Sequence, residues 1–306
     1  MQVYAENATT VERLWVRLNA RIDAYPPALR QLGQRFLSWA GPGYFSMPDA
    51  APLLHLPIWL GRDVPPDTLD DILEATALAY AYVRIQDNVI DEPEGRGHPP
   101  FLLLGNALLW DAMSGFRKHG NDSFWERSRR AWLDFSEFTE LERRQLQTDD
   151  RYTHADFVAH ARKCALAEVP LYAVMSARGD WAGAEAVPRL VHALARSYGC
   201  VNDVMGHVRD LESGAKTYLW SEVRASATRG TPGATAPPEL LRAELASGGV
   251  MDSLLAEAAA TLNDARVAAA ELEIPTFDRF ADQRAARIAE LQLRLAFVRL
   301  TSAFSA

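Results

Sequence analysis

Two polar clusters stand where apolar helical runs give out. The first, in "AYVRIQDNVIDEPEG" (residues 81–95), sets Asp87 and Asp91 four positions apart, with Glu92 beside them. On a helix, positions i and i+4 share a face, so these two carboxylates project together. Like charges that close need solvent, a cationic partner or a metal. The second cluster, in "YGCVNDVMGHVRDLESGAKTYL" (residues 198–219), sets Asn202, Gly206 and Asp210 along one helical stripe and Asp203 and His207 along its neighbour. Hard oxygen ligands without cysteine suit Mg2+, which keeps waters and bridges carboxylates to substrate phosphates. Just downstream, Lys216 and Tyr218 offer an ammonium and a hydroxyl to a phosphate oxygen. Each cluster alone also reads as the solvated end of a core helix, and which stripe of the second supplies ligands is open by one residue.

Helices must position these groups. Apolar residues recur at spacings of three and four in "VERLWVRLNARI", "LDDILEATALAYAYV", "VPRLVHALARSYGCV" and "IAELQLRLAFVRL", while period-two alternation is scarce. Prolines and glycines punctuate the runs at "GRDVPPDT", "EPEGRGHPP" and "EIPT". The pattern predicts an all-α, single-domain bundle over residues 1–306 with roughly ten or more helices. Residues 224–238, "RASATRGTPGATAPP", lack periodicity and are expected to form a mobile loop, either a plain surface insertion or an active-site lid.

Composition narrows the function. The chain has 306 residues, 48% of them hydrophobic, enough for a sizeable core. A net charge of -8, from 32 basic and 40 acidic residues, argues against a nucleic-acid reader. Cys164 and Cys200 lack metal-ligand spacing and suggest no disulfide framework, so a reducing, cytoplasmic setting is expected. No basic-then-apolar leader and no uninterrupted apolar span long enough for a membrane helix is present, so no membrane insertion is expected.

Together the two clusters resemble the metal-binding motifs of the class I isoprenoid synthase superfamily, which contains trans-prenyltransferases and terpene cyclases. "DNVID" matches its aspartate-rich motif, with Asn88 in the second position, and "NDVMGHVRD" matches its second motif. The resemblance implies a helical bundle around a central apolar cavity, and three Mg2+ ions held against the diphosphate of a prenyl substrate. It assigns Asp87, Asp91, Asn202 and Asp210 as the catalytic set, and the same four with Gly206 as the metal positions, with Glu92, Asp203 and His207 as further metal options. "HARKCALAEVP" resembles a prenyltransferase helix whose lysine contacts diphosphate, so Arg162, Lys163, Arg209, Lys216 and Tyr218 are the expected diphosphate contacts. Tyr80, Tyr172 and Leu166 are the expected cavity lining, with Trp59 and Phe45 as further aromatics. Pro170, read as lying inside a helix, is expected to kink it and free the carbonyl of Leu166. A homodimer is implied as well.

The branch follows from what is missing. Chain-elongating synthases bind a second diphosphate through G-K-x-x-R and a double arginine, whereas this chain has no such segment near its start and "EGRGHPP" retains only Arg96. The expectation is a terpene cyclase that ionises farnesyl or geranylgeranyl diphosphate, cyclises the cation and releases diphosphate. The alternatives are a trans-prenyltransferase or squalene/phytoene synthase-like condensing enzyme and, from another class, a non-catalytic isoprenoid-binding helical protein.

Overall fold

The computed structural model describes residues 6–40, 54–91, 99–148, 150–228, 236–247 and 249–304. Among them regular structure is entirely helical, as the three-and-four spacing predicts. Its packing falls into two compact units: residues 1–130, 167–184 and 272–276 form one, and the remaining stretches the other.

In the first unit, α1 (Ala8–Asp23), α2 (Pro27–Ala40), α3 (Leu56–Leu60), α4 (Pro66–Asp91) and α5 (Phe101–Arg117) surround one core. Leu14, Leu18 and Ile22 of α1 meet Leu73, Ala77, Ala81 and Ile85 of α4 and Leu104, Leu108 and Ala112 of α5. Residues 72–78 of α4 are buried on every side, so the helix has no solvent face there. Close approach of α4 and α5 depends on Gly115, where a Cβ would stand 2.9 Å from that of Ala75. At the start of α4, the α1 arginines form a ladder: Arg13 to Asp70 at 3.1 Å, Arg17 to Asp71 at 2.5 Å and Arg21 to Glu74 at 2.9 Å. Further along the chain, α6 (Asp122–Gln147) begins in the first unit and runs into the second.

The second unit takes up most of α6, then α7 (His154–His160) and much of a 3-10 helix (Ala161–Glu168). After α8 (Val169–Arg178), which belongs to the first unit, come α9 (Ala186–Ser213), α10 (Tyr218–Ala227), α11 (Pro238–Ser247), α12 (Val250–Glu271) and α13 (Thr276–Phe304). α9 packs most extensively on α12, where Ser197 Oγ donates to the Ala258 carbonyl at 2.9 Å and Arg196 pairs with Glu257 at 2.8 Å. α9 stops at Gly214, whose φ of 71° is left-handed and suits glycine. Thr217 then caps α10 by accepting the Trp220 N–H at 3.3 Å.

Two local expectations are corrected. Pro170 does not sit in the interior of an α-helix: the helical run of residues 154–178 is 3-10 over Ala161–Glu168, and the proline follows in the first turn of α8, where it is tolerated. Residues 224–227 and 238 of the expected loop belong to α10 and α11, while 229–235 lie outside the described residues.

Candidate metal and diphosphate site

The first acidic cluster ends α4. Behind it lie the all-round buried turns, and Asp87 is the first carboxylate beyond them on its face, half exposed. One turn back, Arg84 Nη1 donates to Asp87 Oδ2. Asp91 is the last residue of α4, and Glu92, Arg96 and Phe45 lie outside the described residues. Tyr80 is half-buried against the core of this unit. Tyr172 is core: it is 2% exposed, donates its hydroxyl to Glu168 Oε2 at 3.0 Å, and carries the Arg127 guanidinium 5.7 Å above its ring. Trp59 is likewise buried, its ring 5.8 Å from that of His55.

The second cluster is presented by α9. Its two stripes differ in their partners. Asp203 is buried, and its Oδ2 accepts the backbone N–H of Leu219 at 3.1 Å, tying α10 down. Burial pushes its carboxyl up to about 6, the N–H bonds from Leu219 and Tyr218 oppose this, and the nearby charge of Asp210 adds to it. His207 donates its Nδ1–H to the Val204 carbonyl at 2.8 Å, which leaves Nε2 as the acceptor nitrogen, while its own carbonyl accepts from Trp220 Nε1 at 2.9 Å. Asn202 is exposed and Gly206 half-buried. Asp210 is buried, with Oδ1 accepting from Arg209 Nη2 at 3.1 Å. Its Oδ2 hangs over Gly206, 3.0 Å from where a Cβ would stand. Asp203 and Asp210 thus each have one carboxylate oxygen engaged, Asp203 by a backbone N–H of α10 and Asp210 by its neighbour Arg209.

Three of the expected diphosphate contacts, Arg162, Lys163 and Lys216, are held at α6 or its C-terminal end, which sequence reasoning missed. Arg162 reaches Asp134 at 2.7 Å and lies 4.3 Å above the centre of the Phe138 ring. Lys163 reaches both oxygens of Glu142 at 2.6 Å. Asp134, Phe138 and Glu142 follow one another at i, i+4 and i+8, a stripe visible in the sequence but without a stated partner. Lys216 Nζ binds the carbonyls of Gln145 and Thr148 at 2.7 and 2.9 Å, at the C-terminal end of α6, where the helix dipole favours a cation. Tyr218 stacks on Phe157 with ring centres 5.2 Å apart, and burial raises its hydroxyl to about 12. Leu166, in the 3-10 segment, is half-buried.

Among the described residues no three His, Cys, Asp or Glu side chains converge on one metal position. Mg2+ does not require such a cage, since one or two carboxylates with waters and substrate phosphates suffice. The all-oxygen donors on the Asn202 stripe, and a carboxylate oxygen overhanging a residue with no side chain, fit that mode.

No family model and no curated protein matches the sequence. Solved structures do. A decaprenyl diphosphate synthase from Rhodobacter capsulatus is 18% identical and superposes with a TM-score of 0.71 over 94% of this chain and 97% of its own. A polyprenyl synthase from Caulobacter crescentus, complexed with calcium and isoprenyl diphosphate, is 16% identical, with a TM-score of 0.71 over 93% and 97%. The chain has the prenyl diphosphate synthase fold. A geranylgeranyl pyrophosphate synthase from Corynebacterium glutamicum, complexed with isoprenyl diphosphate and magnesium, covers 96% of this chain and 98% of its own at 15% identity and a TM-score of 0.60. At these identities the likeness establishes the all-α isoprenoid synthase fold alone.

Proposed function

We propose that this protein is a Mg2+-dependent isoprenoid synthase that breaks the C–O bond of an allylic prenyl diphosphate. The observation that carries the reading is on α9: Asn202, Gly206 and Asp210 form an oxygen-bearing stripe of the spacing that metal-diphosphate chemistry uses, with Asp210 Oδ2 overhanging Gly206. The near full-length likeness to synthases complexed with isoprenyl diphosphate and with calcium or magnesium supports it.

In this reading Asp87 and Asp91 would hold metal on α4 in the first unit, and Asn202 and Asp210 would hold metal on α9 in the second. When bound, Mg2+ supplies the positive charge that neutralises the departing diphosphate. Arg162, Lys163, Arg209 and Lys216 donate to its oxygens, with Tyr218 as a hydroxyl donor. To do so Arg162 and Lys163 would leave carboxylates of α6, and Lys216 would leave two neutral backbone carbonyls at its end. Apolar side chains around Tyr80 exclude water from the allylic cation.

Transfer of the cation to a second isoprenoid diphosphate is the outcome that the comparisons support better, since the similar structures are chain-building synthases. Cyclisation of a single substrate is the second reading. It is favoured by the missing G-K-x-x-R and by the engagement of Arg13, Arg17 and Arg21 with Asp70, Asp71 and Glu74, which leaves that basic segment committed to structure. Purified protein with Mg2+ and geranyl, farnesyl or geranylgeranyl diphosphate, with and without isopentenyl diphosphate, separates them. Longer prenyl diphosphates formed only with both substrates mean transfer, and a cyclic hydrocarbon or alcohol from one substrate means cyclisation. No diphosphate release under any condition removes the catalytic reading.

A further inference from the structure

Tyr152 and His160 belong to none of the motifs, yet in the second unit both are buried, 7% and 6% exposed. The Tyr152 hydroxyl and His160 Nδ1 share a hydrogen bond at 2.9 Å, and the two rings stack with centres 5.3 Å apart. Tyr152 precedes α7 and His160 is its last residue, so the pair clasps that helix at both ends. From His160 the chain passes straight into the 3-10 segment, whose second and third residues are Arg162 and Lys163. Runs of 3-10 helix beyond about three or four residues are uncommon because their hydrogen bonds are poorly aligned, and this run has eight. Its start therefore gains from an anchor outside its own backbone.

The clasp suits that task. Burial lowers the His160 imidazole and raises the Tyr152 hydroxyl, so both are neutral near pH 7. The charges that act on His160 are those of Glu142 on α6, Asp156 on α7 and Lys163, while Asp203 of α9 acts on Tyr152 together with Glu142 and Asp156. A neutral pair there neither repels the Lys163 ammonium nor competes for the Glu142 carboxylate, which Lys163 reaches at 2.6 Å. Lys163 is three residues on from His160, a spacing that makes side chains neighbours in α and 3-10 helices alike. From the hydrogen bond, the ring stacking and this placement we propose that Tyr152 and His160 are positioning residues for Lys163: together they fix the joint between α7 and the 3-10 segment, and with it where the ammonium is presented to diphosphate. This rests on the metal-diphosphate reading above and adds two residues to it.

The test is a double-mutant cycle on the full chain, with binding of inorganic diphosphate in the presence of Mg2+ read by calorimetry. Tyr152→Phe keeps the ring and removes the hydroxyl, and is expected to weaken binding about three- to tenfold, the scale of one hydrogen bond. In a Lys163→Gln background the same change is expected to cost less than about twofold, because the ammonium it orients is gone. His160→Leu is expected to behave like Tyr152→Phe, and His160→Asn, whose amide stands where Nδ1 does, to recover most of the affinity. Equal losses with and without Lys163, or an unfolding midpoint that falls while affinity holds, make the clasp structural only and overturn the proposal with the functional reading intact. Absence of Mg2+-dependent diphosphate binding in wild type overturns both.

Discussion

The carboxylate of Asp203 accepts the backbone N–H of Leu219 at 3.1 Å, fastening the first turn of α10 to the buried face of α9. An alanine there would leave a buried N–H without its acceptor. Asp203→Ala is expected to cost ~1–3 kcal/mol of stability. Asp203→Asn retains an acceptor oxygen and is expected to match wild type near pH 4, where the Asp203 carboxyl is protonated in the folded chain. Denaturant midpoints for the two variants check this, and equal losses would mean that charge, not the N–H bond, is what matters.

The same residue sets a pH dependence. Burial raises the Asp203 carboxyl to about 6 in the folded chain, above the ordinary aspartate value. A raised acid binds more protons folded than unfolded, so its favourable contribution is complete below the unfolded value and is lost as pH rises through about 6. Metal-free Asp203→Asn is therefore expected to gain on wild type by ~1–3 kcal/mol between pH 4 and pH 7.5. Unfolding midpoints measured across that range with chelator present decide it, a constant difference counting against an ionisation penalty at this site.

Arg162 and Lys163 present a test of binding against stability. Their pairs with Asp134 and Glu142 are partly exposed, so each is worth only ~0–1 kcal/mol. Arg162→Gln and Lys163→Gln are expected to leave the unfolding midpoint nearly unchanged and to weaken Mg2+-dependent diphosphate binding by about tenfold. A large loss of stability with unaltered binding would reassign both residues to clamping α6.

Lys216 carries the opposite expectation. Its ammonium satisfies two carbonyls at the end of α6, where the helix dipole also favours a cation. Lys216→Met keeps the stem and removes the charge, and is expected to lower stability by ~0.5–2 kcal/mol. Hydrogen exchange at the end of α6 should rise with it, and an unperturbed α6 would show that water replaces the ammonium without penalty.

What could be read beforehand follows from how local each signal is. The helical class and the buried stretch of α4 are written in apolar spacing, which needs no knowledge of neighbours. The placing of Asp87 just past that stretch was equally legible. The role of Asp203 was not, because it depends on the backbone N–H of Leu219, brought back by a turn at Gly214 and a cap at Thr217. Nor could the sequence reveal that Arg162 and Lys163 meet Asp134 and Glu142, 28 and 21 residues away. Pro170 misled for a related reason. The proline was read against a continuous helix, whereas the 3-10 turn before it had already ended the α-helical ladder.

Gly206 gives the sharpest test of the ligand stripe. A Cβ there would meet Asp210 Oδ2 and Arg209 Nη2, each at 3.0 Å, and both are ends of side chains able to move. Serine is therefore sterically tolerable, and as a better helix former than glycine it adds ~0.3–0.5 kcal/mol. It also places a hydroxyl on the Asn202–Asp210 stripe, where on the proposed reading it would replace a water ligand of the metal. Gly206→Ser is expected to unfold at the same temperature or slightly higher, and to need roughly two- to tenfold less Mg2+ for half-maximal diphosphate binding. The control is His207→Ala on the neighbouring stripe, which leaves the Mg2+ requirement unchanged if Asn202, Gly206 and Asp210 carry the metal. Were the His207 variant to raise that requirement and the Gly206 variant to leave it alone, the ligands would belong to the Asp203 stripe instead.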